Sequence, residues 1–209
     1  MTCDSPSKER CHSCAAQLKH RLYCDSCEKI QQLGKGDDYF TIFGHPRQFQ
    51  LDAAAVEEAF EELILALHPD FYATAEPVEQ ILSVEHTTLL NEAKDALLNP
   101  YLRGRYLLTL LVPEIAATSV QPPQGFIIET FELQECLDQA EQGRAALEPL
   151  AKRVHDQCTA TEAGLAVQFQ QLEGYADQPE LVEEIQSNLA KLKFLLNLQG
   201  RVSQIEKNL

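Results

Sequence analysis

The stretch that decides the reading is Ala66–Tyr72, ALHPDFY. It closes a run with helical spacing, LDAAAVEEAFEELILAL. In that run Val56, Ala59, Phe60, Leu63, Ile64 and Leu67 recur at i, i+3, i+4, i+7, i+8 and i+11, which predicts one apolar helix face. Asp52 is the expected N-cap, and Pro69 stops the helix. A histidine, a proline and an aspartate thus sit at a bend between two helices. They have no nucleophile or metal partner in nearby sequence, which argues against a catalytic His68–Asp70 dyad.

Downstream, Pro77 suits a first helical turn. Val78, Ile81, Leu82, Leu89, Ala93, Ala96 and Leu97 predict a second apolar face with a polar gap at Glu85. Asn99-Pro100 breaks the pattern, and YLRGRYLLTLLV predicts a short third helix. Upstream, DYFTIFGHPRQFQLD is a short apolar segment interrupted by a Gly-His-Pro turn, and GKGDD before it reads as a linker.

Further upstream stand two Cys-x-x-Cys pairs, Cys11/Cys14 and Cys24/Cys27, nine residues apart. Each pair can form a tight knuckle, and the LKHRLY spacer suits a short strand-like connection. Four thiolates can close a tetrahedron around zinc, replacing the core that so short a segment cannot build. A structural zinc is therefore expected on Cys11, Cys14, Cys24 and Cys27, with His12 and His20 as bystanders. Cys3, Cys136 and Cys158 follow no regular spacing. A redox or iron centre on the same four thiolates is the alternative.

Pro113 to Gly125 reads as a connector. Beyond it lie three amphipathic patterns. The first runs from about Phe126 to Gly143; the second carries Leu147, Leu150, Val154, Cys158, Leu165, Phe169 and Leu172. The third follows Pro179 with Val182, Ile185, Leu189, Leu192 and Leu196. Together they predict a small antiparallel bundle. The expected fold is mostly α, with a tetracysteine module over 1–34, a helical-hairpin domain over 38–112, a linker over 113–125 and a three-helix bundle over 126–209.

Net charge is −15. It is −9 over residues 37–112 (four Lys/Arg against thirteen Asp/Glu) and −8 over 113–209 (seven against fifteen). Residues 1–36 carry six bases against four acids, a balance of +2. An acidic body repels phosphate backbones and anionic lipid, so neither nucleic acid nor a membrane surface is expected as partner. The opening MTCDSPSKERCHSC lacks a signal's apolar core and makes a poor transit peptide, so a cytoplasmic location is expected.

A helix ending in HPD, a loop, then NEAKDALLNP and YLRGRYLL resembles a J-domain. DYFTIFG and FIIETFELQECLDQAE narrow the resemblance to the J-type co-chaperones of iron–sulfur cluster assembly, the HscB family, from about Asp38 onward. The tetracysteine extension is similar to that of some longer members. The resemblance implies an adaptor rather than an enzyme. It would stimulate ATP hydrolysis by a dedicated DnaK-class chaperone and deliver the iron–sulfur scaffold protein to it. His68, Pro69 and Asp70 match the triad that contacts the chaperone. Ile127, Ile128, Phe131, Glu132, Glu135 and Phe194 match the scaffold-contact positions, while Phe126, Leu133 and Leu137 are expected in the core. Gln139 stands where an acid is common.

One departure is electrostatic. J-domains usually present a basic helix before HPD, whereas this one carries Glu57, Glu58, Glu61 and Glu62 and no Lys or Arg. Phe71 stands after HPD, where Lys is common. Either the partner surface is changed too, or affinity rests on the triad with Arg47, Lys94, Arg103 and Arg105. Service to other clients is the remaining alternative to scaffold delivery.

Overall fold

The computed structural model describes residues 10–115, 122–140, 144–173 and 178–208. The elements in chain order are α1 (Tyr39–Ile42), α2 (Ala53–Ala66), a 3-10 turn (Pro69–Tyr72), α3 (Pro77–Leu98) and α4 (Pro100–Leu111). A second 3-10 turn (Pro113–Ile115), α5 (Gln124–Ala140), α6 (Arg144–Glu173) and α7 (Pro179–Asn208) follow. The chain is mostly α, and the described residues contain isolated bridges but no strand. It divides into two compact units, Met1–Leu102 and Arg103–Leu209.

In the first unit Asp38 caps α1. Its carboxylate accepts from the Thr41 N–H at 2.9 Å, and the Thr41 hydroxyl accepts from the Asp38 N–H at 2.8 Å, a capping box. Asp38 is buried and paired with the Arg47 guanidinium. Asp52 caps α2 through the Ala54 N–H, as expected. Val56 and Leu63 on α2 and Leu67 at its C-cap are buried, as are Leu90, Ala93 and Leu97 on α3, and the two helices pack together. Lys94 lies 4.1 Å from the centroid of the Phe60 ring, a cation–π contact between the two helices.

The expected α3 stripe needs correcting at its start. Val78 and Ile81 are 57% and 58% exposed. The polar residues Ser83 and His86 occupy the buried face instead, in phase with Leu90, Ala93 and Leu97. They are tolerated there because each has a partner: Ser83 Oγ donates to the Leu67 carbonyl at 2.6 Å, and His86 Nε2 to the Gln31 carbonyl at 2.8 Å.

In the second unit Glu132 pairs with Arg153 and Glu129 with Gln157, so α5 and α6 run antiparallel. Gln168–Asn188 and Cys158–Gln199 make α6 and α7 antiparallel as well. Phe126–Phe194 and Gln134–Arg201 then place α5 parallel to α7. All seven residues read from the second pattern are buried on α6. On α7 the stripe continues through Leu195, Leu198 and Val202, with Leu196 only partly buried. The buried Arg103 of α4 lies near Glu162 of α6, which attracts its charge while burial lowers its pKa. Arg103 is thus a packed residue of this unit rather than a surface base.

Candidate functional site

The HPD bend is built by satisfying the carbonyls that the end of α2 leaves without helical partners. The buried Tyr72 hydroxyl donates to the Ala66 carbonyl at 3.1 Å, and Ser83 takes that of Leu67. Burial and the nearby acidic groups push the Tyr72 phenol up to about 12, so it stays a donor. Gln80 then ties the far side of the loop, donating from its amide to the Ala75 carbonyl at 2.9 Å.

Within this frame His68 caps the 3-10 turn, with its Nδ1 accepting from the Asp70 N–H at 3.3 Å. That bond uses the Nδ1 lone pair, which leaves Nε2 as the donor position of the neutral ring. The 3.7 Å approach of Nδ1 to the Asp70 carboxylate is therefore not an ion pair in this tautomer. Pro69 fixes the first dihedral of the turn. The Asp70 side chain is 89% exposed and Phe71 72% exposed, its ring edge-on to His68 at 6.1 Å. The structure thus presents a carboxylate, an imidazole and an aromatic ring together on an exposed bend. Among the flanking bases, Arg47 is engaged with Asp38 and Lys94 with Phe60.

The four cysteines come together as expected. Their sulfurs lie within 4.8 Å of one another, with Cys11–Cys27 at 3.5 Å and Cys14–Cys24 at 3.7 Å. A regular tetrahedron with ~2.3 Å metal–sulfur bonds has edges of ~3.8 Å, so the donor set fits a tetrahedral metal. The two knuckles repeat one construction. Cys11 N–H bonds to the Ala16 carbonyl and Ala15 N–H to that of Cys11; Cys24 and Glu28 do the same with Lys29 and Cys24. The bridges Arg10–Gln17 and Tyr23–Ile30 close them. Ala15 and Glu28 take left-handed φ of 59° and 57° at equivalent places, a strain the tight knuckle holds. The LKHRLY spacer forms a bend between the bridges rather than a strand.

The sulfurs are also set up electrostatically. Burial raises the Cys11 thiol, but N–H groups of Cys14 and Ser13 and the neighbouring thiols outweigh it and bring it down to about 6. At Cys27 the Lys29 N–H favours the thiolate, yet burial and the three other thiols push it up to about 12. Sulfurs this close cannot all ionise without a cation among them. His12 turns away to Gln31, and His20 lies 3.4 Å from Glu62, so neither joins the cluster. Gln31, by contrast, was silent in the sequence: its amide donates to Cys11 Sγ at 3.4 Å.

On α5, Phe126, Leu133 and Leu137 are buried, while Ile128 and Phe131 are each 70% exposed beside the less exposed Ile127. Glu132 binds Arg153 at 3.2 Å, and Glu135 and Gln139 face solvent. Phe194 is partly buried, its ring edge-on to Phe126 at 5.5 Å. It packs on the core rather than standing free on the surface.

An HPD bend on a helical hairpin, followed by a three-helix bundle, is the construction of a J-type co-chaperone. Residues 122–203 match the family described as "HSCB C-terminal oligomerisation domain". The chain is 29% identical to the human "Iron-sulfur cluster co-chaperone protein HscB", over 97% of this chain and 86% of that protein. Its fold is similar to the crystal structure of human co-chaperone HscB, with a TM-score of 0.74 and 26% identity over 96% of this chain and all of that one. It is likewise similar to the chaperone HscB from Vibrio cholerae, with a TM-score of 0.70 and 28% identity over 82% of this chain and 99% of that one. Residues 122–203 thus match the HscB C-terminal domain, and the chain is similar to HscB co-chaperones in sequence and fold.

Proposed function

We propose that this protein is an adaptor, not an enzyme. It captures an iron–sulfur cluster scaffold protein and presents it to a dedicated DnaK-class chaperone, whose ATPase it stimulates. The observation that carries this reading is the bend at His68–Pro69–Asp70. Its backbone is held by Tyr72, Ser83 and Gln80, while its polar groups are left exposed. Pre-ordering the loop lowers the entropy lost on binding. Asp70 can then accept charge-assisted hydrogen bonds from a chaperone arginine, and the His68 Nε2–H can donate to a backbone or carboxylate acceptor.

The client surface is the exposed Ile127, Ile128 and Phe131, with Phe194 at its edge and Glu132 and Glu135 beside it. An apolar patch running into acid suits a scaffold whose exposed face is hydrophobic and basic. The human relative's description as an iron–sulfur cluster co-chaperone supports this client class. Zinc is the metal that best suits four thiolates in a closed structural site, where it would fix the two knuckles and supply no chemistry of its own. We place this activity in the cytoplasm, where reducing conditions keep the thiols available to metal.

The test is single-turnover ATP hydrolysis by the cognate chaperone with saturating co-chaperone. Wild type should accelerate hydrolysis and His68→Gln should not. Equal acceleration by both proteins would defeat the proposal. Elemental analysis of the purified chain should give one zinc per protein; a reducible iron centre would favour a redox protein instead.

A further inference from the structure

We propose that metal occupancy of the cysteine cluster and packing of the α2–α3 hairpin are thermodynamically linked through Gln31 and His86. Gln31 is buried, and each of its polar atoms has a partner. Its side-chain amide donates to Cys11 Sγ at 3.4 Å and to the Lys29 carbonyl at 2.8 Å. Its Oε1 accepts from the His12 N–H at 3.0 Å and lies 2.9 Å from His12 Nδ1. Its main-chain N–H donates to the Leu22 carbonyl at 2.8 Å. Its own carbonyl accepts from His86 Nε2 at 2.8 Å, in the interior of the unit. One residue therefore grips a metal-ligand sulfur with its side chain and the hairpin's second helix with its main chain.

Two other ties join the same parts. Lys29 binds Glu79 of α3 at 2.8 Å, and Lys19 and His20 lie 3.4 Å from Glu62 of α2. Those ion pairs are partly exposed and individually weak. The His86–Gln31 bond is buried, so losing it strands a carbonyl away from water. The knuckles have too little apolar surface to hold their shape alone, and metal binding is what orders them. Ordering Gln31 by the metal pre-places the acceptor that His86 needs. By reciprocity, ordering Gln31 by His86 pre-places the donor on Cys11. His86 thereby acts on a metal it does not touch.

This inference rests on the cluster holding a metal but not on chaperone stimulation. The experiment uses the full chain loaded with zinc, titrated with a competing chelator, together with amide hydrogen exchange in α2 and α3 before and after zinc is stripped. His86→Phe keeps the bulk and removes the donor; Lys29→Ala removes only a partly exposed ion pair. His86→Phe should weaken zinc affinity on the order of ten-fold, the usual scale for an outer-sphere partner, and Lys29→Ala much less. Stripping zinc from wild type should speed exchange around His86. If His86→Phe does not fold, the wild-type exchange comparison decides alone. Zinc affinity unchanged in a folded His86→Phe, or α3 exchange indifferent to zinc in wild type, overturns the linkage. A wild-type chain that takes up no zinc overturns the metal reading and the linkage with it.

Discussion

Ser83 Oγ donates to the Leu67 carbonyl oxygen at 2.6 Å, so the second helix of the hairpin caps the first at the residue before the HPD bend. Ser83 is fully buried. Ser83→Ala leaves that carbonyl unpaired in the interior. It should cost about 1–3 kcal/mol in urea unfolding. Amide exchange over residues 68–73 should rise in the same variant, because the loop loses one of its fixed ends.

The acid on α2 should set the salt dependence of chaperone binding. Glu57, Glu58 and Glu61 are exposed, while Glu62 is engaged by Lys19 and His20. Binding to a chaperone with an acidic docking surface should be weak and should strengthen as salt screens the repulsion. Replacing Glu57 and Glu61 by Lys should raise that affinity and reverse the salt trend. Surface plasmon resonance at several ionic strengths measures both.

On the bundle, core and surface positions should separate cleanly. Leu192 is fully buried and Ile128 mostly exposed. Leu192→Ala should lose about 3 kcal/mol of stability, whereas Ile128→Ala should stay within about 0.5 kcal/mol. A triple variant with Ile128→Ala, Phe131→Ala and Phe194→Ala should lose scaffold capture in a pull-down. Its Phe194 substitution should carry most of any stability loss, since that ring packs on Phe126.

Arg103 and Glu162 form a second sensitive point. Burial raises the Glu162 carboxyl while Arg103 and His155 pull it back down. Arg103→Met removes that compensation and leaves a partly buried carboxylate without its main counter-charge. We expect about 1–3 kcal/mol of destabilisation at neutral pH. The loss should shrink at mildly acidic pH, where Glu162 takes a proton and no longer needs the guanidinium. Thermal melts at the two pH values test the sign.

His86 should make the first unit acid-sensitive. Burial lowers its pKa, outweighing the hydrogen bond to Gln31 and the charge of Glu85. As pH falls below about 6.5 the unfolded chain takes the proton first. The neutral ring's contribution to stability is therefore complete above that value and lost as pH falls through the lower folded-state pKa. Urea titrations over this window should show a slope that His86→Phe reduces.

The amino-acid sequence by itself determined the helix order, the HPD bend and the four-cysteine set. These are local properties: apolar residues at helical spacing, prolines that end or start helices, and paired cysteines that can meet around one ion. It also separated Phe126, Leu133 and Leu137 from the exposed Ile128 and Phe131, because one helix turn fixes which side each occupies. Tertiary structure alone decided that Ser83 and His86 are interior while Val78 and Ile81 are not. Their partners, the Leu67 and Gln31 carbonyls, lie 16 and 55 residues away in the chain, and main-chain acceptors leave no mark on side-chain patterning. For the same reason Gln31 gave no signal as the residue between cluster and hairpin, and Arg103 read as a surface base until burial placed it inside.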